Sequence, residues 1–246
     1  MSRGRLGVKG RARVYVDDEL FLRRVDRIAR PKVDHVRSIV APGGKWIDVG
    51  CATGEILAAA RDAGWEALGL ETDPTEVDFA RSKGLDVVQE FVTGRSAGRW
   101  LKNATVLSLL NMLEHMIGPA ELLAELVEPL ASGAHVVIEV PRHPSISSLS
   151  NMLFPRMACR HAYAPEHLHI FSEDAMERLL ERANLEPVSI WTFGQDFQEL
   201  ISSASLMAGV AENPFLNSVF DLTPRVQQAI DDADFSDTMF VISRKQ

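Results

Sequence analysis

The 246-residue chain is 46% hydrophobic and 24% charged, a composition that folds as a globular protein and needs neither disulfide nor metal for stability. A net charge of -8 sets the overall field against a nucleic-acid partner, and no run of 18 apolar residues suggests stable membrane insertion. Two cysteines, Cys51 and Cys159, make no disulfide framework, so a reduced, cytoplasmic setting is expected.

Residues 1–16 carry Arg3, Arg5, Lys9, Arg11 and Arg13 among glycines without apolar periodicity, which predicts a basic flexible terminus rather than a phosphate-binding arm. No apolar core follows it, so it does not read as a secretory signal. From 17 to 246 a single domain is expected. Residues 17–41 read as a charged helix capped by Asp17 or Asp18, with Phe21, Val25, Ile28, Val33, Val36 and Val40 on one face and Pro31 splitting or kinking it.

A short apolar run at 46–49 then enters a glycine-bearing turn and a helix with Ile56, Leu57 and Ala60 at helical spacing. Gly50 lets the chain leave the strand, and Gly54 lets the helix start lie close to a strand or ligand. Asp48 sits at the carboxyl end of the strand, where open α/β sheets bind ligands, and can accept hydrogen bonds from an amino group. A second run, 65–70, ends in Glu71, 23 residues after Asp48, the offset expected of a partner for ribose hydroxyls. The spacing is Asp-x-Gly-x-x-x-Gly, with Ala52 where a dinucleotide fingerprint has its middle glycine, so the turn suits a pyrophosphate poorly.

Asp73-Pro74-Thr75-Glu76 predicts a helix start with Asp73 as cap and Glu76 completing a capping box. Further strands are expected at 85–88, 105–110 and 134–140, with a helix from Gly118-Pro119 between the last two. This alternation implies a parallel sheet with right-handed crossovers. From Ser145 an apolar stretch with Ile146, Leu149, Met152, Leu153 and Met157 reads either as a core connector or as a lid. Ser172 caps the next helix, a strand follows at 188–193, two apolar helices at 199–209 and 216–230, and a last strand at 239–243. The apolar pair suits core packing and a homodimer interface equally.

Asp48-Val-Gly-Cys-Ala-Thr-Gly54, Ala63 to Glu71, Asn111-Met-Leu-Glu-His115, Glu139-Val-Pro141 and Pro165-Glu-His-Leu-His-Ile-Phe-Ser172 together resemble the class I S-adenosylmethionine-dependent methyltransferases, over about residues 35–245. The resemblance implies an α/β, Rossmann-like seven-stranded sheet, mostly parallel with an antiparallel last strand and helices on both faces. It implies S-adenosyl-L-methionine as cofactor and S-adenosyl-L-homocysteine as product, held by Asp48, Gly50, Cys51, Gly54, Glu71, Thr72, Phe91 and Asn111. Many relatives carry an aspartate at or near Phe91; a phenylalanine there can pack on the adenine instead. The 165–172 block is similar to a branch acting on bacterial sugars, polysaccharides and small metabolites, so a small-molecule or glycan substrate is expected. In this frame 145–171 is lid-like and 196–232 a helical insertion.

Methyl transfer from a sulfonium is an in-line displacement, so alignment and exclusion of water matter most. A neutral amine needs no strong base, whereas a sugar hydroxyl benefits from one. His167, His115 and His169 are the candidates, although each taken singly reads more readily as a tie between a loop and backbone groups. Cys159, His161, His167 and His169 match no standard zinc spacing, and no metal is expected. Asn111 is followed by Met112 and Leu113 rather than by an Asn-Pro-Pro-Tyr-like run, so nucleobase flipping finds no support. Oxygen is the favoured acceptor; N-methylation, a non-catalytic protein of the same fold and a nicotinamide oxidoreductase are the alternatives.

Overall fold

The computed structural model describes residues 16–154, 160–162 and 166–246. The basic residues 3–13, Met157, Cys159 and Pro165 lie outside them. Seven strands form one sheet in the order β3-β2-β1-β4-β5-β7-β6. They are β1 (Lys45–Val49), β2 (Glu66–Glu71), β3 (Val87–Gln89), β4 (Val106–Leu110), β5 (His135–Pro141), β6 (Leu185–Phe193) and β7 (Thr238–Lys245). β1 pairs in parallel with β2 and β4, and β2 with β3. β7 runs against β5, since the Arg142 amide donates to Asp237 O and the Lys245 amide to Ala134 O. Among the described residues no helix is long and apolar enough to cross a membrane.

The chain splits into two compact units. The first holds the described residues up to Leu110 with Leu122–Val137 and Arg244–Gln246. Its opening helix is three segments: α1 (Asp18–Arg24), a π-helical turn (Val25–Ala29) and α2 (Arg30–Arg37). Asp17 is the cap, accepting the Leu20 amide at 2.7 Å. The helix divides at Pro31 as expected, with Pro31 in the first turn of α2. Pro31 has no N–H to give, so the helix widens ahead of it, with the Arg30 amide reaching Val25 O. α3 (Glu55–Asp62) and α4 (Pro74–Ser82) follow β1 and β2. Phe21, Val25, Leu57, Val77, Phe79 and Leu85 form one apolar cluster, in which the Phe21 and Phe79 rings meet edge to face at 5.7 Å.

A helix absent from the expectations, α5 (Gly94–Leu101), follows β3. Two glycines weaken its local helix preference, but Thr93 and Ser96 form a reciprocal cap and Ala97 and Leu101 are fully buried. Tertiary burial outweighs the propensity.

The second unit, Asn111–Glu121 with Ile138–Ser243, contains α7 (Ile146–Leu153), α8 (Glu173–Arg182), α9 (Asp196–Met207), α10 (Phe215–Phe220) and α11 (Thr223–Asp232); α6 (Pro119–Val127) spans its boundary with the first. Long-range polar bonds hold it. Arg142, buried, pairs with Glu173 and Asp234 and donates to the carbonyls of Asp234 and Ser236. Asp196, fully buried, accepts from the Ser147 and Asp237 amides and from Gln227. Leu206, Met207, Phe215 and Leu222 of the apolar helices remain exposed.

Candidate functional site

In the first unit the turn from β1 to α3 is built from left-handed residues. Gly50, Ala52 and Gly54 have φ of 76°, 47° and 87°. A Cβ on Gly54 would come within 2.6 Å of Leu85 Cδ1. Ala52 adopts this conformation without the freedom of glycine, at a cost of order 1 kcal/mol. Glu71 compensates it, for its Oε2 accepts the Ala52 amide at 2.9 Å. Oε1 accepts the amides of Thr72 and Asp73 at 2.5 and 2.9 Å and the Thr72 hydroxyl at 3.1 Å. The Asp73 amide is therefore committed to Glu71, and Asp73 caps α4 by accepting from Thr75 and Glu76 without the expected reciprocal bond.

Asp48 is 3% exposed, and register places it beside Ser108 on β4 and Gly69 on β2. The Trp46 indole donates to Ser108 Oγ at 2.7 Å, and that hydroxyl donates to Asp48 Oδ1 at 2.5 Å. Burial pushes Asp48 up to about 7, against the Ser108 hydrogen bond, with Glu71 and Glu55 adding like charge. Cys51 is buried over Gly69, where a Cβ would meet its thiol and Leu57 Cδ1, and burial pushes the thiol far up. Phe91 is 68% exposed. The hydroxyl of Thr53 donates to Glu55, which pairs with Arg24 at 2.9 Å.

In the second unit Asn111 has φ 51° and gives its side-chain amide to Glu139 at 3.0 Å. A 3-10 turn, Leu113–His115, follows it. The Leu168 and His169 amides both donate to Glu114 O, which ties the 166–171 segment to this turn. His115 and His167 rings lie 4.8 Å apart, edge to face. His115 Nδ1 donates to Glu166 O at 2.7 Å, and His167 Nδ1 to His161 O at 3.0 Å, because a carbonyl can only accept. In the neutral form of either ring Nε2 then carries the lone pair. His169 is held the other way round, its Nε2 donating to Met116 O at 2.9 Å. Burial, with the neighbouring His115 and His161, draws His167 down despite the His161 carbonyl and Glu166. Beneath them Glu114 is fully buried and burial pushes it up to about 8, its own amide opposing and Glu139 adding.

Ser108 and Glu114 are the polar groups that sequence reasoning passed over. Ser108 was marked only by being polar inside Val106-Leu-Ser-Leu-Leu110, and Glu114 only by its place in the Asn111–His115 run.

The methyltransferase-domain family model matches residues 21–190. The chain belongs to this family and is a methyltransferase. No curated protein matches the chain by sequence. Among solved structures it is similar to an S-adenosylmethionine-dependent methyltransferase from Archaeoglobus fulgidus, at 18% identity, TM-score 0.58 and coverage of 93% of this chain and 100% of that one. The magnesium protoporphyrin IX methyltransferase of Synechocystis PCC 6803, bound to S-adenosylhomocysteine, gives 12% identity, TM-score 0.62 and coverage of 98% and 95%. A possible histamine N-methyltransferase from Thermotoga maritima gives 13%, 0.59, 98% and 96%. At these identities the structural likenesses establish the fold.

Proposed function

We propose that this enzyme methylates a hydroxyl oxygen of a small molecule or glycan. S-adenosylmethionine is the methyl donor and S-adenosylhomocysteine the product. One observation carries the choice of oxygen: His115 and His167 both spend Nδ1 on a backbone carbonyl and hold Nε2 as an acceptor. A hydroxyl needs a proton acceptor of that kind, and a neutral amine does not. His167 is the proposed base, with the His115 ring 4.8 Å from it and His169 a further candidate in the chain's second unit.

The proposed donor contacts in the first unit are Asp48, Gly50, Cys51, Gly54, Glu71, Thr72 and Phe91; Asn111 is the one that belongs to the second. Glu71 Oε2 has acceptor capacity left for a ribose hydroxyl, whereas three donors saturate Oε1. α7 heads the segment read as a lid, and its exposed Leu149, Met152 and Leu153 suit an uncharged face of the acceptor.

The test is transfer from methyl-labelled S-adenosylmethionine into fractionated small molecules and glycans, with the labelled atom assigned by NMR. Label on an oxygen is expected. Label on nitrogen or carbon refutes the choice of acceptor, and tight S-adenosylhomocysteine binding without any transfer would favour a binding protein.

A further inference from the structure

Glu114, His115 and His167 offer three ligand atoms that all lie within 4.8 Å of one another. Glu114 is 0% exposed, and neither carboxylate oxygen has a hydrogen-bond partner in another described residue. Buried carboxylates are normally paired, hydrogen-bonded or bound to a cation. Among the described residues His115 Nε2 stands 3.9 Å from Glu114 Oε1, beyond hydrogen-bond reach.

The two histidines supply an independent sign. Each gives Nδ1–H to a backbone carbonyl, Glu166 O or His161 O, which fixes the tautomer and leaves Nε2 as the donor atom. That outer arrangement is the one that orients imidazole toward a metal. Glu114 and His115 share one 3-10 turn, and the Leu168 and His169 amides hold the segment carrying His167 to the same turn.

We propose that Glu114 and the Nε2 atoms of His115 and His167 bind one divalent cation of the zinc class, leaving coordination positions for water or an acceptor oxygen. Two imidazoles and one carboxylate suit such ions better than magnesium. Ligands about 2.1 Å from an ion lie about 3 to 3.5 Å from each other, so the side chains close by about 1 Å on binding. The set differs from the Cys159, His161, His167 and His169 group weighed from sequence, because Glu114 comes from a distant stretch.

The cation deepens the oxygen-methylation proposal and rests on it for one step only. A hydroxyl bound to the ion gives up its proton to water, its oxygen pair forms the bond to the methyl carbon, and the carbon–sulfur pair returns to the sulfonium sulfur. In that state the histidines hold the ion in place of taking the proton. Binding of the ion itself needs neither donor nor acceptor.

The experiment is calorimetric titration of the chelator-treated full chain with Zn2+, without donor or acceptor, and a parallel Co2+ titration followed by visible absorption. One equivalent is expected, with affinity falling by about 100-fold in His167→Ala and in Glu114→Gln and the Co2+ band lost in His115→Ala. Circular dichroism checks each fold; should the buried Glu114→Gln misfold, the two histidine variants carry the test. No stoichiometric uptake by the wild type, or unchanged uptake by folded variants, overturns the site. Zn2+ bound here with label recovered on nitrogen sustains the site and refutes the oxygen acceptor. Oxygen-methylated product from protein that takes up no metal does the reverse.

Discussion

Replacing Glu71 by Gln tests whether this carboxylate braces the turn as well as the donor. Glu71 accepts four hydrogen bonds, three of them from backbone amides, and is 9% exposed. In Glu71→Gln one oxygen becomes an NH2 that has no acceptor to offer. Placed toward Ala52, it leaves that amide unpaired at about 1–3 kcal/mol, while the remaining bonds lose their charge assistance and weaken by about half. Placed toward Thr72 and Asp73, it orphans two amides and costs more. The expected loss is therefore about 2–4 kcal/mol, with Ala52 released from its left-handed conformation. Urea unfolding followed by circular dichroism reads the stability. Calorimetry with S-adenosylhomocysteine and its 2′-deoxy and 3′-deoxy analogues reads the ribose contact, for which the variant should lose the preference that the wild type shows. A Glu71→Gln protein within about 0.5 kcal/mol of wild-type stability would refute the bracing role.

Asp48 makes stability depend on pH with a definite sign. Its folded value is raised from 3.8 to about 7, so folding takes up a proton between those values and the protein loses stability as pH rises through the window, by about 4 kcal/mol in all. Measured by urea unfolding at pH 5 and pH 8, wild type should fall relative to Asp48→Asn, which keeps an acceptor for Ser108; a pH-independent difference would count against it. Gly69→Ala places a methyl against the Cys51 thiol and 2.6 Å from Leu57 Cδ1, and should cost about 1–3 kcal/mol. Adding Cys51→Ala should recover part of that loss, and strict additivity of the two costs would show that the contact does not limit packing.

What the amino-acid sequence determined by itself was local. The apolar run into Asp48-x-Gly-x-x-x-Gly54 and the caps at Asp17, Asp73 and Ser172 express preferences within a few residues, and each appears where the pattern places it, whereas the single helix expected at 216–230 is two, Phe215–Phe220 and Thr223–Asp232. The helix divides at Pro31 as well, and only the π turn just upstream of it was not legible. α5 was illegible because its glycines argue against a helix that burial of Ala97 and Leu101 imposes. Only the tertiary structure decided how polar groups far apart in the chain are spent. Glu71 stands 19 residues from Ala52, Ser108 60 from Asp48, and Arg142 92 from Asp234, and nothing in the neighbouring residues marks these pairs. His115 and Glu166 stand 51 residues apart, and their bond selects Nδ1 as the imidazole nitrogen that donates. Such choices follow from strand register and chain crossing, which bring distant donors to a buried acceptor that cannot remain unpaired.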